Sequence, residues 1–591
     1  MGPPPHPSPT DGGARRHFLV ALGVVVLSTL IVATLLVIPS PRVVDEHVYH
    51  LMVKSAVEGS PWHILNGDDV APSPELQIGR PGSWLHVREV GGKLVAQYPP
   101  LYALLCVPLY LLGGMSGIFW FNILCFGGVL LLCYGITRKL GGDPPTALLA
   151  PILLIVATPA WRLSISMLPH AAALLFIVGA QYLILVELEK GQGGRGWEGV
   201  GAGLMLGLGC HMRLDSILVL PALFLPLMWP SGRVLRRSFM VMVGLLPPLL
   251  LLSYLQHLRF GVWNPFTYGG NELKDVIQTE SFPLLTRLHT LYLNWIDPRE
   301  PGVAPPLAWL RRTGQGALLF QGVIQFSLLQ TCPWLAGLWV GWRGSSPRGA
   351  VPGLVAPVVV VGGVMAWIGL NAIRYQMPIF PGLAVVAALV LQPHLHPRGI
   401  RWMFASGIGV FLLFVFHRQL PWYYPGDDVV SHGLPLCLAA AALVGGVGLR
   451  FYSGWGSRMW WMAMGGALVW AAALNFDYHI PREREERQER LDMTRRFEPH
   501  IPEKAMILGT WSDPCFGLVE GRHLIVVDPR HDNWQDLPRL LSEARQRDLP
   551  VFSAFEPLVW EQMRGEAPGL GWRVEVEDIS RGWVLARWEV P

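Results

Sequence analysis

Apolar runs fill the first four-fifths of the chain, broken by short basic or glycine- and proline-rich links. The first runs from Phe18 to Ile38. At about 1.5 Å rise per residue, such a helix crosses a hydrocarbon layer of about 30 Å. It is too long for a signal-peptide core and lacks an obvious small-residue cleavage site, so it reads as an uncleaved first span. Further runs lie near 116–137, 146–161, 168–187, 198–212, 214–230, 236–256, 316–341, 351–371, 375–391, 402–416, 432–449 and 459–474. One more, 99–113, has a length that fits either a span or a helix lying at the interface.

Basic residues settle the parity. If 99–113 does not cross, the links holding Arg138–Lys139, Lys190–Arg195, Arg233–Arg237, Arg343–Arg348, Arg398–Arg401 and Arg450–Arg458 all face the cytoplasm. That arrangement satisfies the positive-inside rule throughout, and the opposite choice puts most of them outside. The expectation is an all-α polytopic domain of thirteen spans over 17–474, after a cytoplasmic tail at 1–16. External loops then fall at 40–115 and 257–315, and an external C-terminal domain at 475–591. That last segment changes period. Strands are expected at 505–509, 523–528, 549–554, 571–576 and 582–589, with helices at 535–547 and 557–564: a water-soluble α/β domain. The charged stretch Pro481–Arg490 joining it to the last span is expected to be a solvated helix or linker. Gly199, Gly203 and Gly207 repeat every fourth residue, the pattern of a close helix–helix face.

Composition sharpens this division. Lys, Arg, Asp and Glu make up only 15% of the 591 residues. They crowd into the last 117 positions, where 38 of the 88 fall, so the apolar part is solvated by lipid and the tail by water. A net charge of +4 argues against a nucleic-acid partner. The seven cysteines show no paired metal-type spacing and no disulfide framework. Walker, dinucleotide-binding, zinc-protease and nucleophile-elbow motifs are all absent from the sequence.

Chemistry concentrates just after the first span, in Arg42-Val-Val-Asp45-Glu46-His47-Val-Tyr49-His50. Two adjacent carboxylates beside a membrane span are costly without a purpose. On a helix Asp45 and Tyr49 share a face at i, i+4, and a carboxylate there can take a proton from a hydroxyl. The plain alternative is a solvated loop. Tyr98-Pro99-Pro100-Leu101-Tyr102 opens the ambiguous 99–113 run, and its prolines suit a helix start at the membrane face.

These two elements, with Gly207-Leu-Gly-Cys-His-Met-Arg213-Leu-Asp215, Arg259-Phe-Gly261 to Asn264-Pro265-Phe266, and Arg374-Tyr375-Gln-Met-Pro378, resemble the C-type (GT-C) integral-membrane glycosyltransferases. The similarity is to the protein O-mannosyltransferase and lipid-A aminoarabinose transferase branch, and covers roughly 15–390. The resemblance implies an inner-membrane enzyme that moves a sugar, with inversion, from a polyprenyl-phosphate donor to a glycan, lipid or protein acceptor on the external face. It implies Asp45 as general base, with Glu46 orienting the acceptor or assisting a cation. Arg213 and Arg374 would meet the lipid phosphate, for which a guanidinium supplies permanent charge and a bidentate fork. His170, Lys93 and Arg88 are weaker phosphate or sugar contacts, and Tyr98 and Tyr49 would line the substrate channel. No cofactor is required; a divalent metal held by His47 and His50 beside the carboxylates is the weaker alternative. Two other classes are a transporter or flippase, which calls for ionisable residues at mid-membrane, and a non-catalytic scaffold, in which Asp45, Arg213 and Arg374 would be replaceable.

Overall fold

The computed structural model describes residues 11–64, 87–91, 93–190, 196–227, 234–269, 271–272, 328–341, scattered positions of 354–364, 377–392, most of 401–412, 429–451, 455–502, 505–509, 523–526, 537–555, 557–570, 572–580 and 583–589. Helix α1 (Asp11–Leu36) leads to α2 (Val44–Val57), a hairpin of β1 (Val87–Val90) and β2 (Lys93–Ala96), and α3 (Leu101–Gly113). Then come α4 (Met115–Lys139), α5 (Pro144–Val156), α6 (Ala160–Ser164), α7 (His170–Glu189), α8 (Trp197–Met212), α9 (Leu220–Leu227) and α10 (Val234–Phe260). Later helices are α11 (Phe380–Leu391), α12 (Val429–Phe451), α13 (Trp455–Ala473) and α14 (Ile480–Phe497).

Among the described residues, five helices have the length and apolarity to cross a membrane: Arg16–Leu36 within α1, α4, α7, α10 and the continuous rod starting at Arg458. Their outward faces are apolar. On α1, Leu19, Val20, Val24, Leu27, Ile31 and Leu35 are all exposed, as a helix against lipid requires. The count of thirteen rests in part on 273–327, 342–353 and 365–376, which lie outside the described residues. The run at 99–113 forms a 13-residue helix, α3, about 20 Å long, too short to span. It turns straight into α4 at Gly114, whose φ of 56° suits glycine.

The glycine repeat does what its spacing suggests. Gly199, Gly203 and Gly207 on α8 lie against α10, and a Cβ on Gly203 would sit 1.9 Å from the Val241 carbonyl oxygen. Gly244 returns the contact, its Cβ position 1.9 Å from the Val200 carbonyl. Only glycine permits this backbone approach.

Helix α13 passes without a break through a π-helical turn, Leu474–His479, into α14. Asn475 in that turn is buried and donates to the carbonyls of Thr158 (2.9 Å) and Ala471 (3.0 Å). Here the structure corrects an expectation. The charged stretch is a helix, one of the two expected forms, but not a wholly solvated one: α14 buries Ile480, Arg487, Met493 and Phe497. Its buried charge is tolerated because it is paired, as described below.

The C-terminal domain carries the expected elements: β3 (Met506–Gly509), β4 (His523–Val526), α15 (Leu537–Gln546), β5 (Val551–Phe555), α16 (Pro557–Glu566), β6 (Arg573–Ser580) and β7 (Trp583–Glu589). The sheet order is β4-β3-β5-β7-β6, with β4, β3 and β5 parallel and β7 and β6 antiparallel to their neighbours. Strand alternation gives it two apolar faces. Ile507, Phe552, Ala554 and Leu585 join the membrane domain's core through Met493 and Phe497 of α14. Met506, Leu508, Val551 and Phe555 pack under α15 and α16. On the surface Arg496 of α14 pairs with Asp578 of β6 at 2.5 Å.

Candidate active site

Helix α2 starts right after α1 because Pro39 and Pro41 break the chain between them. Its first turn holds Asp45 and Glu46, where the positive end of the helix dipole favours carboxylates. The two acids point to different partners.

Asp45 accepts a hydrogen bond from the Tyr98 hydroxyl at 2.7 Å. The Tyr98 ring stacks on Tyr49 (centroids 4.6 Å, 17°), and Tyr49 meets Tyr102 edge-on at 5.1 Å. The i, i+4 pairing of Asp45 with Tyr49 therefore places both against Tyr98, one at its hydroxyl and the other on its ring. Beneath them, Tyr102 donates to the Met167 carbonyl at 2.8 Å, and the buried Asn122 amide bridges the Tyr102 oxygen and the Ser166 carbonyl, each at 2.7 Å. From the far end of α10, the buried Arg259 donates to the carbonyls of Tyr98 (2.9 Å) and Ala96. It thus clamps the strand-to-helix corner that presents Tyr98.

Glu46 is 1% exposed and committed on both oxygens. Arg487 of α14 grips it in a fork, Nη2 to Oε1 at 2.6 Å and Nη1 to Oε2 at 2.8 Å. The Arg42 backbone N–H donates to Oε2 at 2.7 Å and that of Met167 to Oε1 at 3.2 Å. Burial alone would push this carboxyl up; the Arg487 charge and hydrogen bonds, with Arg42, hold it below the usual carboxylate value. A carboxylate so occupied anchors chain and does not face an acceptor. Around it, Arg42 pairs with Glu483 (3.2 Å) and Glu486 (3.3 Å), and Arg162 reaches Glu483 at 3.5 Å.

Arg213 and His170, far apart in sequence, come within 3.4 Å (Nη1 to Nε2). Arg213 follows α8 and is held by Asp215 through two contacts, 3.0 and 2.8 Å. His170 opens α7 directly after the 166–168 segment that Asn122 and Glu46 hold. The hairpin bearing Lys93 is fastened by the Ile64 N–H to the Leu94 carbonyl (2.8 Å) and by Arg88 to the Gly269 carbonyl (2.7 Å), with Lys93 itself exposed. Arg88 therefore ties chain to chain at this position. Arg374 lies outside the described residues.

Histidines 47 and 50 do not converge on the carboxylates as a metal set. His50 Nε2 lies 3.3 Å from the Tyr110 hydroxyl, and both Glu46 oxygens face Arg487. Among the described residues no group of three or more His, Cys, Asp or Glu forms a metal site. Sequence reasoning missed Arg487 and Asn122 as parts of this region, and gave Arg42, quoted in the motif, no role. Their only local signal was charge or amide in an otherwise apolar or linker context. Arg259 was visible as a motif residue but carried no assigned role.

The family model described as Dolichyl-phosphate-mannose-protein mannosyltransferase matches residues 97–255, from the Tyr98 corner to the end of α10. ArnT from Cupriavidus metallidurans, in a crystal structure bound to undecaprenyl phosphate, is similar at a TM-score of 0.56 and 15% identity, covering 97% of this chain and 98% of that one. Its apo state gives 0.54 and 14%, with the same coverage. An Archaeoglobus fulgidus oligosaccharyltransferase is similar at 0.45 and 13%, covering 92% of this chain and 71% of that one. No match is found among curated protein sequences. The chain thus shares its fold over nearly its whole length with ArnT, and the segment that matches the mannosyltransferase family model carries Tyr98, Asn122, His170 and Arg213; both likenesses support the GT-C glycosyltransferase resemblance.

Proposed function

We propose that the chain is an inverting glycosyltransferase that takes a sugar from a polyprenyl-phosphate carrier at the external face of the inner membrane and passes it to an acceptor hydroxyl. The observation that carries this is the Asp45 carboxylate bonded at 2.7 Å to a tyrosine hydroxyl, at the membrane-proximal start of α2. A carboxylate that accepts from a phenol in this place is set to accept from an incoming alcohol. Asp45 takes the acceptor O–H proton as that oxygen forms its bond to the anomeric carbon. The bond from that carbon to the phosphate oxygen breaks, and its electron pair leaves with the lipid phosphate. The carbon is attacked opposite the leaving group, so its configuration inverts.

Leaving-group charge requires fixed positive charge. Arg213, steadied by Asp215 and beside His170, is the described guanidinium we assign to the phosphate, with Arg374 the second. Lys93 on its exposed hairpin strand is available to the same anion. The ArnT structure that holds undecaprenyl phosphate supports the carrier class, since this chain shares that protein's fold from end to end.

The test is Asp45→Asn in membranes supplied with undecaprenyl-phosphate-linked sugars, reading release of undecaprenyl phosphate. Loss of the base should lower turnover by about 10²- to 10⁴-fold while insertion and expression persist. Wild-type turnover in this variant removes Asp45 as the base.

A further inference from the structure

Arg487 sits on the helix that follows the last described span, 441 residues away from Glu46 in sequence. Nothing in the proposed transfer step uses it. Yet it is only 4% exposed and spends its guanidinium at one point. Two nitrogens hold the two Glu46 oxygens, Nη1 also donates to the Ser40 carbonyl at 2.5 Å, and the guanidinium carbon lies 5.1 Å from the centre of the Phe119 ring. Ser40 belongs to the link between α1 and α2, and Phe119 to α4. One side chain thus ties together the end of the first span, the first turn of α2, and α4. Glu46 is the residue next to Asp45, on a helical turn whose N-cap, Val43, has no capping side chain. The Glu46 carboxylate reaches back to the Arg42 N–H just ahead of that cap and is itself held by Arg487.

We infer that Arg487 is a positioning residue for the transfer reaction: its fork on Glu46 fixes the start of α2, and so the direction in which Asp45 faces its acceptor. This makes the charged helix after the membrane domain part of the active-site framework. The inference rests on Asp45 being the base. A bidentate pair buried on both sides is strong enough for the task, because removing one partner strands the other charge in the interior. Misplacing a reacting group by about 1 Å costs about 10²-fold in rate.

The experiment uses the full chain in nanodiscs with Arg487→Ala, Arg487→Lys, Glu46→Gln and the Arg487→Ala/Glu46→Gln double variant. Arg496→Ala, in the surface pair with Asp578, is the control. Turnover is read as undecaprenyl phosphate released from a panel of undecaprenyl-phosphate mannose, glucose and arabinose when cell-envelope lipids and glycans supply the acceptor hydroxyl. Binding of undecaprenyl phosphate is measured separately. Amide hydrogen exchange is followed over residues 42–50. Arg487→Ala should lower kcat about 10²-fold with undecaprenyl phosphate affinity unchanged, and speed exchange at 43–50. Added methylguanidinium should restore part of that rate, and Arg487→Lys should retain more of it than Ala, lacking only the fork. The double variant should lose no more than the worse single one. Arg496→Ala should change none of these.

Wild-type kcat in Arg487→Ala overturns the inference, as does unaltered exchange at 43–50. A matching loss of undecaprenyl phosphate affinity also overturns it, since Arg487 would then be a phosphate ligand. Asp45→Asn run beside them separates the two ideas. If that variant stays active, the base assignment fails; if it is dead while Arg487→Ala is normal, only the positioning role fails. The exchange measurement decides even where no sugar of the panel is accepted.

Discussion

At the scale of single residues, the neighbours Asp45 and Glu46 have opposite fates. One meets a hydroxyl and the other an arginine fork, although both are acids in one helical turn. The helix sets this: successive residues project about 100° apart, so one faces the tyrosine ladder and the next faces α14. The same turn carries a pH dependence. Burial holds the His50 imidazole down at about 4, with Lys54 adding to the effect, and burial with His50 pushes His47 well below its usual 6.5. Both bind protons more weakly folded than unfolded. Their contribution to stability is complete above pH 6.5 and declines as pH falls from 6.5 towards 4. Glu46 is lowered too, but from a lower starting value, so its share is present above pH 4.5 and lost only at more acid pH. Melting temperature in detergent should therefore fall between pH 6.5 and 4, and His50→Gln should flatten that slope. An unchanged slope would exclude His50 as the titrating group.

At the scale of elements, helices are joined by backbone closeness in one place and by charge in another. The α8–α10 crossing relies on Gly203 and Gly244, where a Cβ would collide with main-chain carbonyls that cannot rotate away. Gly203→Val should cost about 3 kcal/mol, read as lower thermal stability in detergent. Gly23→Val, on α1 with nothing within 4 Å of its Cβ position, should be neutral. A melt unaffected at Gly203 would mean the helices separate at little cost. This contact was legible in sequence, because small residues every fourth position mark a helix face by themselves. The α14 contact was not. Its run of arginines and glutamates has the composition of a solvated helix, and only the partners Glu46, Arg42 and Arg162 make burial affordable.

At the scale of the whole molecule, one contact orders the topology. Arg487 touching Glu46 and Ser40 puts the end of α1 and the start of the C-terminal domain on one side of the helix bundle. Met167 and, through it, His170 and Arg213 lie on that side too. The Arg138–Lys139 end of α4 lies a full helix length away. Sidedness reporters fused after residues 60 and 591 should agree with each other and oppose one fused after residue 141. Disagreement between the first two would break the assigned parity.

Local pattern alone determined the apolar helices, the order of strands and helices in the tail, and the region where acids and tyrosines gather. These follow from period, run length and turn residues, which neighbours in sequence encode. Only the tertiary structure decided which acid meets the tyrosine, that Arg259 props the Tyr98 corner, that His170 finds Arg213, and that α14 closes over Glu46. Each of these joins residues between 43 and 441 positions apart. A sequence pattern marks the face a residue lies on. It does not name the partner across the gap, because that is chosen by how packed helices bring distant faces together.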